Sequence, residues 1–433
     1  MPDLPSRHAR LGAALPLDDA LLIVGAGEPV PLPENTDQTY PFRAHSDYFY
    51  LTALECPHGV VAYDPRDRAW HSFVPTVTEA ERVWEGRAQP PGEPLEQFAP
   101  WLAARRGRRI AQLGAAVPGV AAEAEFSAHV RTHFVHARRP KDAAELATLR
   151  RAATATAAGY AALRAALRPG VTERALQVEL ETGFFRAGAQ RTGYGSIVAV
   201  GANAAVLHFA PGGRVAQAGD FVLVDAGGEI DRYVTDVTRT YVVGQPSPFQ
   251  RDLYQVVLAA QEKACARCRP GIEWREVHLA CAVDLTAGLV AMGVMRGDPA
   301  SLVEQEAHTL FFPHGLGHMV GLGVRDASGL LPGRPKDPRP CLRTLRMDLP
   351  LAPGYVVTVE PGLYFIPALL NDPTRRERFR ACVNWSLADQ HLQIGGVRIE
   401  DNLVITADEP ENLTAAIPKD FRTTDGTDHA DVA

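Results

Sequence analysis

Residues 221–243 read FVLVDAGGEIDRYVTDVTRTYVV and predict two apolar strands joined by a turn. The first strand ends at Asp225, where an unpaired buried charge would be costly. GGEID supplies the turn, and the returning strand carries Asp236 in VTDVTRT. A strand, a turn and a second strand can bring the two aspartates together although they are far apart in sequence. This stretch therefore predicts the beginning of a carboxylate site.

Glutamates follow the same pattern further along the chain. Glu360 closes the apolar run YVVTVE just before a Pro-Gly pair. In GGVRIED, the two-residue period of a strand places Arg398 and Glu400 on one face. A single carboxylate at a strand end is usually a capping or turn group. Four of them closing apolar strands indicate a bound cation, because buried carboxylates must be paired or coordinated.

A histidine pair lies between these acids, in FFPHGLGHMVGLGVRD at 311–326. His314 and His318 are four residues apart, the spacing of a helical zinc protease. Such a helix requires a glutamate directly after the first histidine, whereas this chain has Gly315, and Gly317 further disfavours a helix. The zinc-helix interpretation therefore fails. Carboxylates with one imidazole instead suit a pair of Mn²⁺, Co²⁺ or Zn²⁺ ions.

Composition narrows the class of protein. A chain of 433 residues with 46% hydrophobic residues suggests two domains. The net charge of -7 argues against a nucleic-acid partner, and no apolar run is long enough to span a membrane. The N-terminus lacks a signal-peptide pattern, so we expect a cytoplasmic protein. Six scattered cysteines predict no disulfide framework, and Cys265 and Cys268 are interpreted as neighbours on one helix face.

The pattern of hydrophobic residues changes once along the sequence, near Lys141. Residues 1–136 mix short apolar runs with Pro-rich breaks and predict a small α/β domain. Helical periodicity follows, and then the strands described above, so residues 137–433 form a second domain of mixed helices and strands. The polar tail after Pro418 is predicted to be disordered. The overall expectation is an α/β protein of two domains.

The ordered set of motifs resembles that of the pita-bread metallopeptidases, with VDAGG, TDVTRT, HGLGH, TVEPGLYF and GGVRIED in turn. Within that family the chain is most similar to prolidase (Xaa-Pro dipeptidase) and aminopeptidase P. The similarity covers residues 138–417, and YPFRAHSDYFYLTALE at 40–55 resembles the N-terminal domain of the same enzymes. The resemblance implies a small α/β domain followed by a creatinase/aminopeptidase-like α+β catalytic domain.

The resemblance also implies two divalent metal ions, with Mn²⁺ expected and Co²⁺ or Zn²⁺ as alternatives. Asp225 and Asp236 would chelate one ion, and Asp236 and Glu400 would bridge to the second. Glu360 would also carry a proton from the attacking water to the leaving imino nitrogen. His208 and His314 would contact the substrate near the scissile bond. The implied metal ligands are Asp225, Asp236, His318, Glu360 and Glu400.

Further residues follow from the resemblance. Thr238 and Arg398 match groups that orient carboxylate ligands, and Arg398 and Tyr194 are also placed in the substrate site. Arg346 stands where prolidases bind the substrate carboxylate. Arg325 departs from the family, which has a histidine at that place. A guanidinium there needs an anion nearby, either the Asp326 carboxylate or that of the substrate, unless it turns to solvent.

The implied activity is hydrolysis of an Xaa-Pro bond in a small peptide. The long insert after His318, which contains Arg346, favours the dipeptidase, whereas VMRGDPASLVEQEAHTLFF and the N-terminal motif favour aminopeptidase P. A metal-free binding protein on the same fold is a third possibility, opposed by the complete ligand set. Relatives are dimers or higher homo-oligomers. Trp84 matches a tryptophan that reaches a neighbouring subunit in aminopeptidase P, with a buried core tryptophan as the alternative.

Overall fold

A computed structural model describes residues 3–34 and 38–420 of the chain. The chain divides into two compact units, Met1–Arg138 and Arg139–Ala433. Each unit has its own hydrophobic core. In the described part of the chain, no helix is both long and apolar enough to cross a membrane.

The first unit is built on one mixed sheet with strand order β4-β3-β2-β1-β5. β1 pairs antiparallel with β2 and parallel with β5. Apolar side chains of the strands pack against Phe98 to form the core. The strands are β1 (Leu21–Gly25), β2 (Val60–Asp64), β3 (Ala69–Val74), β4 (Glu93–Pro94) and β5 (Ile110–Gly114). The helices are α1 (Leu4–Ala14), α2 (Ser46–Thr52), α3 (Glu79–Glu85), α4 (Phe98–Ala103) and α5 (Ala124–Arg138), with a 3₁₀ turn at Leu95–Gln97.

The last helix of the first unit extends slightly past the boundary predicted after residue 136. α5 ends at Arg138, which is buried, and its Nη1 lies 2.6 Å from Asp47 Oδ1. This ion pair holds the end of α5 against α2. The boundary between the two units accordingly lies after Arg138. Trp84, on α3, is 85% exposed, so the alternative of a buried core tryptophan is wrong.

The second unit contains long helices and several small sheets. β11-β8-β7, β10-β9-β6 and β14-β17-β18 form three-stranded sheets, while β12-β13 and β15-β16 are pairs. The helices are α6 (Ala143–Ala166), α7 (Glu173–Arg186), α8 (Pro248–Arg267), α9 (Trp274–Ala291), α10 (Pro299–Glu304), α11 (Pro340–Arg343), α12 (Pro367–Leu370), α13 (Pro373–Arg378) and α14 (Trp385–Gln390), with 3₁₀ turns at Gly201–Ala205 and Ala307–Leu310. The strands are β6 (Arg191–Thr192), β7 (Ile197–Val200), β8 (Phe221–Ala226), β9 (Gly228–Ile230), β10 (Tyr233–Val234), β11 (Val237–Val242), β12 (Gly329–Leu330), β13 (Met347–Asp348), β14 (Val356–Val359), β15 (Gly362–Tyr364), β16 (Gly396–Arg398), β17 (Asp401–Val404) and β18 (Glu411–Asn412).

Two helices support the strands that carry the aspartates. α6 begins with a capping box between Asp142 and Glu145, and it packs closely on α7. A Cβ added at Gly183 would lie 2.5 Å from the Cα of Gly159, so only glycine permits this approach. On the same helix, the Tyr160 hydroxyl donates to the carbonyl oxygen of Val237 at 2.5 Å. This bond fixes β11 against the helix layer.

The beginning of the tail is ordered, contrary to the prediction. Lys419 Nζ lies 2.5 Å from Asp401 Oδ2, and Asp420 Oδ2 lies 2.7 Å from Arg164 Nη2. These ion pairs hold the chain against the second unit as far as residue 420. The rest of the predicted disordered tail, 421–433, lies outside the described residues.

Candidate active site

The ends of neighbouring strands bring the predicted acids together. In the antiparallel pair of β8 and β11, Asp225 lies opposite Thr238, and Asp236 directly precedes β11. A bridge between Thr238 and Glu400 joins this pair to the segment before β17. Glu360 directly follows β14, the partner of β17. The four carboxylates therefore converge because each stands where a paired strand begins or ends.

Tyr194 connects the two aspartates. Its hydroxyl oxygen lies 2.7 Å from Asp225 Oδ1 and 2.5 Å from Asp236 Oδ1. Burial, together with the charges of both aspartates, raises the pKa of Tyr194 well above its usual value. The hydroxyl therefore keeps its single proton and donates it to one of the two aspartates at a time.

His318 faces two of the acids. Its Nε2 lies 3.3 Å from Asp236 Oδ2 and 3.8 Å from Glu360 Oε1. Its Nδ1 donates to the carbonyl oxygen of Met319 at 3.0 Å, which turns Nε2 toward the carboxylates. Ligand atoms of Asp236, His318 and Glu400 all lie within 4.8 Å of one another, and the three side chains are buried.

Arg398 and Thr238 hold the carboxylates in place. Arg398 Nη2 donates to Asp225 Oδ2 at 2.5 Å, and its Nε donates to Thr238 Oγ1 at 3.0 Å. The Thr238 hydroxyl in turn donates to Glu400 Oε2 at 2.6 Å. Each guanidinium nitrogen of the buried Arg398 contacts a protein group, the third being the Tyr364 hydroxyl at 2.9 Å. This geometry suits an orienting group better than a direct substrate contact.

Crowding of the acids changes their protonation. Burial raises the pKa of Asp225 to about 6, although Arg398 opposes the shift. Burial likewise raises the pKa of Glu360 to about 7, and it raises that of Glu400 well above the usual range, with the charge of Asp236 adding to both shifts. Burial lowers the pKa of His318, but the hydrogen bond and charge of Asp236 outweigh it and raise the value to about 9. The protein alone therefore supplies too little positive charge for these acids.

The donor set fits divalent metal ions. Four carboxylates and one imidazole nitrogen offer oxygen-rich ligands of the kind that Mn²⁺, Co²⁺ and Zn²⁺ accept. Arg398 is held at the edge of the cluster by Asp225, Thr238 and Tyr364. Cations among the acids would replace the shared protons, since ligands bind in the deprotonated form.

The metal-free protein is expected to lose stability as the pH rises from about 4.5 to about 9. The raised pKa values of Asp225, Glu360 and Glu400 mean that the folded state binds more protons than the unfolded state, so the free energy of unfolding falls as these acids ionise. The raised pKa of His318 acts in the same direction above its unfolded value of about 6.5. Metal should therefore stabilise the protein increasingly toward alkaline pH, because it competes with fewer protons.

Thermal unfolding with chelator and with Mn²⁺, at pH 5 to 8, checks this expectation. One pKa unit corresponds to about 1.4 kcal/mol, so the difference between the two series should grow by a few kcal/mol over this range. Groups outside the site contribute equally to both series. A difference that stays constant with pH would contradict the proposed coupling.

His314 lies beside the acids but is already engaged. Its Nδ1 donates to the carbonyl oxygen of Gly315 at 2.9 Å, and its Nε2 accepts from the Tyr364 hydroxyl at 2.9 Å. Burial lowers the pKa of His314 to about 3, so the imidazole is neutral. To contact substrate, it must exchange one of these hydrogen bonds.

A cavity of about 570 Å³ lies over the acids. Its wall includes the five predicted metal ligands together with Tyr194, His314 and Arg398. His208, Arg325 and Arg346 are exposed and also line this cavity. The volume suits a short peptide, and its mouth carries positive charge from the two arginines. The structure thus brings all the predicted site residues except Thr238 to the cavity wall, and Thr238 lies just behind Glu400.

Asp326 is not the anion that accompanies Arg325. Its side chain is buried, and its Oδ2 lies 2.9 Å from Lys141 Nζ. The same oxygen accepts from the backbone N–H of Leu322 at 3.0 Å. Of the two predicted anions, Asp326 is therefore wrong, because the ion pair with Lys141 turns its carboxylate inward.

The sequence interpretation missed two residues of the site. Tyr364 joins His314 to Arg398 through its hydroxyl, and it is fully buried. Thr358 accepts from the backbone N–H of His318 at 3.0 Å and lies 3.5 Å from Glu360 Oε1. Both lie within two to four residues of Glu360, Thr358 in the apolar run that Glu360 closes and Tyr364 in the strand that follows it. A polar residue on a buried strand next to a predicted ligand was the available signal.

Two family models match the chain. Residues 147–407 match metallopeptidase family M24, and residues 5–125 match the aminopeptidase P N-terminal domain. A relative named probable Xaa-Pro aminopeptidase, from Botryotinia fuckeliana, is 31% identical and is aligned over 89% of this chain and 87% of its own. A second of the same name, from Coccidioides posadasii, is 31% identical over 93% of this chain and 91% of its own.

Solved structures agree with these matches. Proline aminopeptidase P II from Yersinia pestis is 30% identical, with a TM-score of 0.78 over 96% of this chain and 97% of its own. Zinc-substituted aminopeptidase P from E. coli, in complex with product, is 28% identical, with a TM-score of 0.78 over 96% of this chain and 95% of its own. The predicted fold class, a small α/β domain followed by a pita-bread catalytic domain, is confirmed.

Proposed function

The chain belongs to metallopeptidase family M24 and is a metallopeptidase, and we propose that it is an Xaa-Pro aminopeptidase with two divalent metal ions. It would release the N-terminal residue of peptides whose second residue is proline. The observation that carries the proposal is the buried convergence of Asp236, His318 and Glu400 beside Asp225 and Glu360. The named relatives and structures support an aminopeptidase over the dipeptidase that the insert suggested.

We propose that five side chains would hold the two ions, and that Asp236 and Glu400 would serve both of them. When bound, the ions lower the pKa of a water molecule and polarise the scissile carbonyl. Mn²⁺ is the proposed ion, because oxygen-rich sites suit it, although Co²⁺ and Zn²⁺ satisfy the same ligands. The ligands are Asp225, Asp236, His318, Glu360 and Glu400.

The remaining roles in the proposed reaction are proton transfer, orientation of the metal ligands and binding of the substrate. Glu360 would accept a proton from the attacking water at a carboxylate oxygen and deliver it to the leaving proline nitrogen. Its half-buried carboxylate lies 3.9 Å from His314 Nδ1, between the acids and the open cavity. Tyr194, Thr238 and Arg398 would keep the carboxylate oxygens in position. His208 and His314 would hold the substrate near the scissile bond.

Activity on paired substrates tests the proposed specificity. Purified protein supplemented with Mn²⁺ should release Ala from Ala-Pro-Ala with a higher kcat/KM than from Ala-Pro. Chelation should abolish both reactions, and Ala-Ala-Ala should be a poor substrate. Cleavage of Ala-Pro alone, with the tripeptide resistant, would overturn the aminopeptidase proposal in favour of a dipeptidase.

The dipeptidase remains the second candidate because of Arg346. Its guanidinium is exposed at the cavity and makes no ion pair within 4.0 Å among the described residues. We propose that it pairs with the C-terminal carboxylate of very short substrates. A charge-assisted contact of this kind is worth about 1.5–3 kcal/mol, or roughly ten- to a hundredfold in kcat/KM.

Arg346→Ala is accordingly expected to reduce cleavage of Ala-Pro by that factor and to leave Ala-Pro-amide nearly unchanged. Initial rates on both substrates provide the check. Arg343→Ala is a matched control, since Arg343 is exposed in the same segment but does not line the cavity. Equal losses on the acid and the amide would refute the carboxylate contact.

Arg325 is proposed as a second substrate contact. It is exposed, lines the cavity and replaces the family's histidine, so it offers a permanent charge where an imidazole is expected. Arg325→Ala should raise KM for Xaa-Pro peptides, and Arg325→His should restore it. An unchanged KM in Arg325→Ala would mean that the side chain points to solvent during turnover.

We further propose a homodimeric or larger assembly in the cytoplasm. The exposed indole of Trp84 is unusual for a surface residue and supports contact with another subunit. The six cysteines are all unpaired, as expected in a reducing compartment. Sedimentation of the native protein and of Trp84→Ala would test the assembly.

A further inference from the structure

A second group of metal-binding side chains lies apart from the carboxylate cluster. His278 is on α9, His308 is in the 3₁₀ turn Ala307–Leu310, and Cys341 is on α11. Their nitrogen and sulfur ligand atoms all lie within 4.8 Å of one another. The three residues are 1%, 2% and 7% exposed. Three segments far apart in sequence thus meet at one buried point.

The two imidazoles are unsatisfied. Neither nitrogen of His278 nor of His308 has a hydrogen-bond partner among the described residues. A buried polar group without a partner costs about 1–3 kcal/mol, and most buried groups of this kind are paired. Apolar side chains lie on one side of the group, with the Phe312 ring 5.6 Å from that of His278 and Leu279 packed near Cys341. A ligand that bonds to these unpaired imidazole nitrogens would remove this cost.

We propose that His278, His308 and Cys341 bind a structural Zn²⁺ ion, separate from the peptidase metals. Two imidazoles and one thiolate form a nitrogen and sulfur set that suits zinc, whereas the catalytic cluster is rich in oxygen. Ligand atoms around a tetrahedral zinc ion lie about 3.3–3.7 Å apart, given bond lengths of about 2.0–2.3 Å. A separation of at most 4.8 Å can reach this value through small side-chain movements.

Protonation suits this assignment. Burial lowers the pKa of His278 to about 3 and that of His308 to about 4, so both rings are neutral and have a lone pair for a metal. Burial, with the neighbouring Glu306 carboxylate, raises the pKa of Cys341 to about 12. The thiol must therefore lose its proton when the ion binds.

Glu306 provides a route for that proton. Its Oε1 lies 3.0 Å from Cys341 Sγ, and its Oε2 accepts from the backbone N–H of Cys341 at 3.0 Å. As the S–H bond breaks and the bond from sulfur to zinc forms, Glu306 Oε1 receives the proton and passes it to solvent. Arg339 Nε, 3.3 Å from the same carboxylate oxygen, holds Glu306 in place. The fourth zinc position is then available to Glu306 or to water.

The site would join α9 to two segments that lead into the peptidase cavity. His308 lies six residues before His314, and Cys341 lies five residues before Arg346. A zinc ion at this point would fix both segments to the helix. This role is structural, so it stands or falls independently of the proposed peptidase activity.

Cobalt spectroscopy of the full-length protein tests the proposal. The five proposed catalytic ligands include no sulfur, so a sulfur-to-cobalt charge-transfer band in the near ultraviolet reports only a thiolate site. Co²⁺-loaded wild type should show this band, and Cys341→Ser should lose it. Cys382→Ser is the matched control, because Cys382 is an unpaired cysteine outside the cluster and its loss should leave the band intact.

X-ray absorption of zinc-loaded wild type decides the question even if Cys341→Ser does not fold. A sulfur scatterer at about 2.3 Å from zinc is expected. Only oxygen and nitrogen scatterers at saturating zinc would overturn the proposal, as would a cobalt band that persists in Cys341→Ser. Peptidase activity would survive either of those results, so they leave the proposed function intact.

Discussion

Asp236→Asn is expected to reduce kcat/KM by about a thousandfold or more and to lower the bound metal toward one ion or none. The Tyr194 hydroxyl contacts both Asp225 and Asp236, and Asp236 Oδ2 lies 3.3 Å from His318 Nε2. The Asp236 carboxylate therefore lies between Asp225 and His318. Metal ions contribute several kcal/mol of transition-state stabilisation, and about 4 kcal/mol corresponds to a factor of a thousand. Steady-state rates and elemental analysis of the purified variant measure both effects.

The folded state should tolerate this substitution. Asparagine keeps the size of aspartate and removes one negative charge from a crowded group of acids, so the metal-free variant should be at least as stable as metal-free wild type. Asp408→Asn, an exposed carboxylate in the same unit, serves as the control and should retain activity and metal. If Asp236→Asn kept both full activity and two ions per chain, the ligand assignment would be wrong.

Arg239→Ala is expected to lower the free energy of unfolding by about 3–5 kcal/mol, as when one partner of a buried ion pair is removed. Arg239 is 1% exposed, and its Nη2 lies 2.7 Å from Asp401 Oδ1. It also donates to the carbonyl oxygens of Glu400 and Ile417, at 2.6 and 2.8 Å. Its loss therefore leaves the buried Asp401 carboxylate with Lys419 as its remaining ion-pair partner and leaves the carbonyl oxygen of Glu400, a proposed ligand, without this donor.

Urea unfolding of the metal-free proteins measures this cost. The comparison is Arg150→Ala, which removes an exposed ion pair with Glu411 at 2.7 Å and should cost about 1 kcal/mol or less. If both variants lowered the free energy of unfolding by a similar, small amount, the contacts of Arg239 with Asp401 and the C-terminal segment would not be important for stability.

The carboxylate site was predictable from sequence because strand chemistry is local. Asp225 and Glu360 each end an apolar strand, and the two-residue period placed Glu400 with Arg398. The antiparallel pairing of β8 with β11 agrees with the predicted strand, turn and strand. The predicted turn GGEID is wrong in detail, because Gly228–Ile230 forms β9, which pairs with β10, and the chain reverses at Asp231 and Arg232, where φ is positive. A charge at the end of a buried strand is a signal that needs no knowledge of distant contacts.

Other features depend on contacts that no local pattern encodes. His278, His308 and Cys341 come from three segments, and nothing in their own neighbourhoods indicates a shared point. Asp326 seemed available to Arg325 by sequence proximity, yet Lys141, far earlier in the chain, pairs with it. Long-range ion pairs and cavities follow from the packing of whole elements, so they required the structure.

Anomalous diffraction from crystals of active, Mn²⁺-loaded protein tests the central claim most directly. The account predicts two manganese peaks within ligand distance of the five proposed side chains, with Asp236 and Glu400 contacting both ions. It would be contradicted by crystals of fully active enzyme in which no manganese lies among these acids. The side chains to inspect are Asp225, Asp236, His318, Glu360 and Glu400.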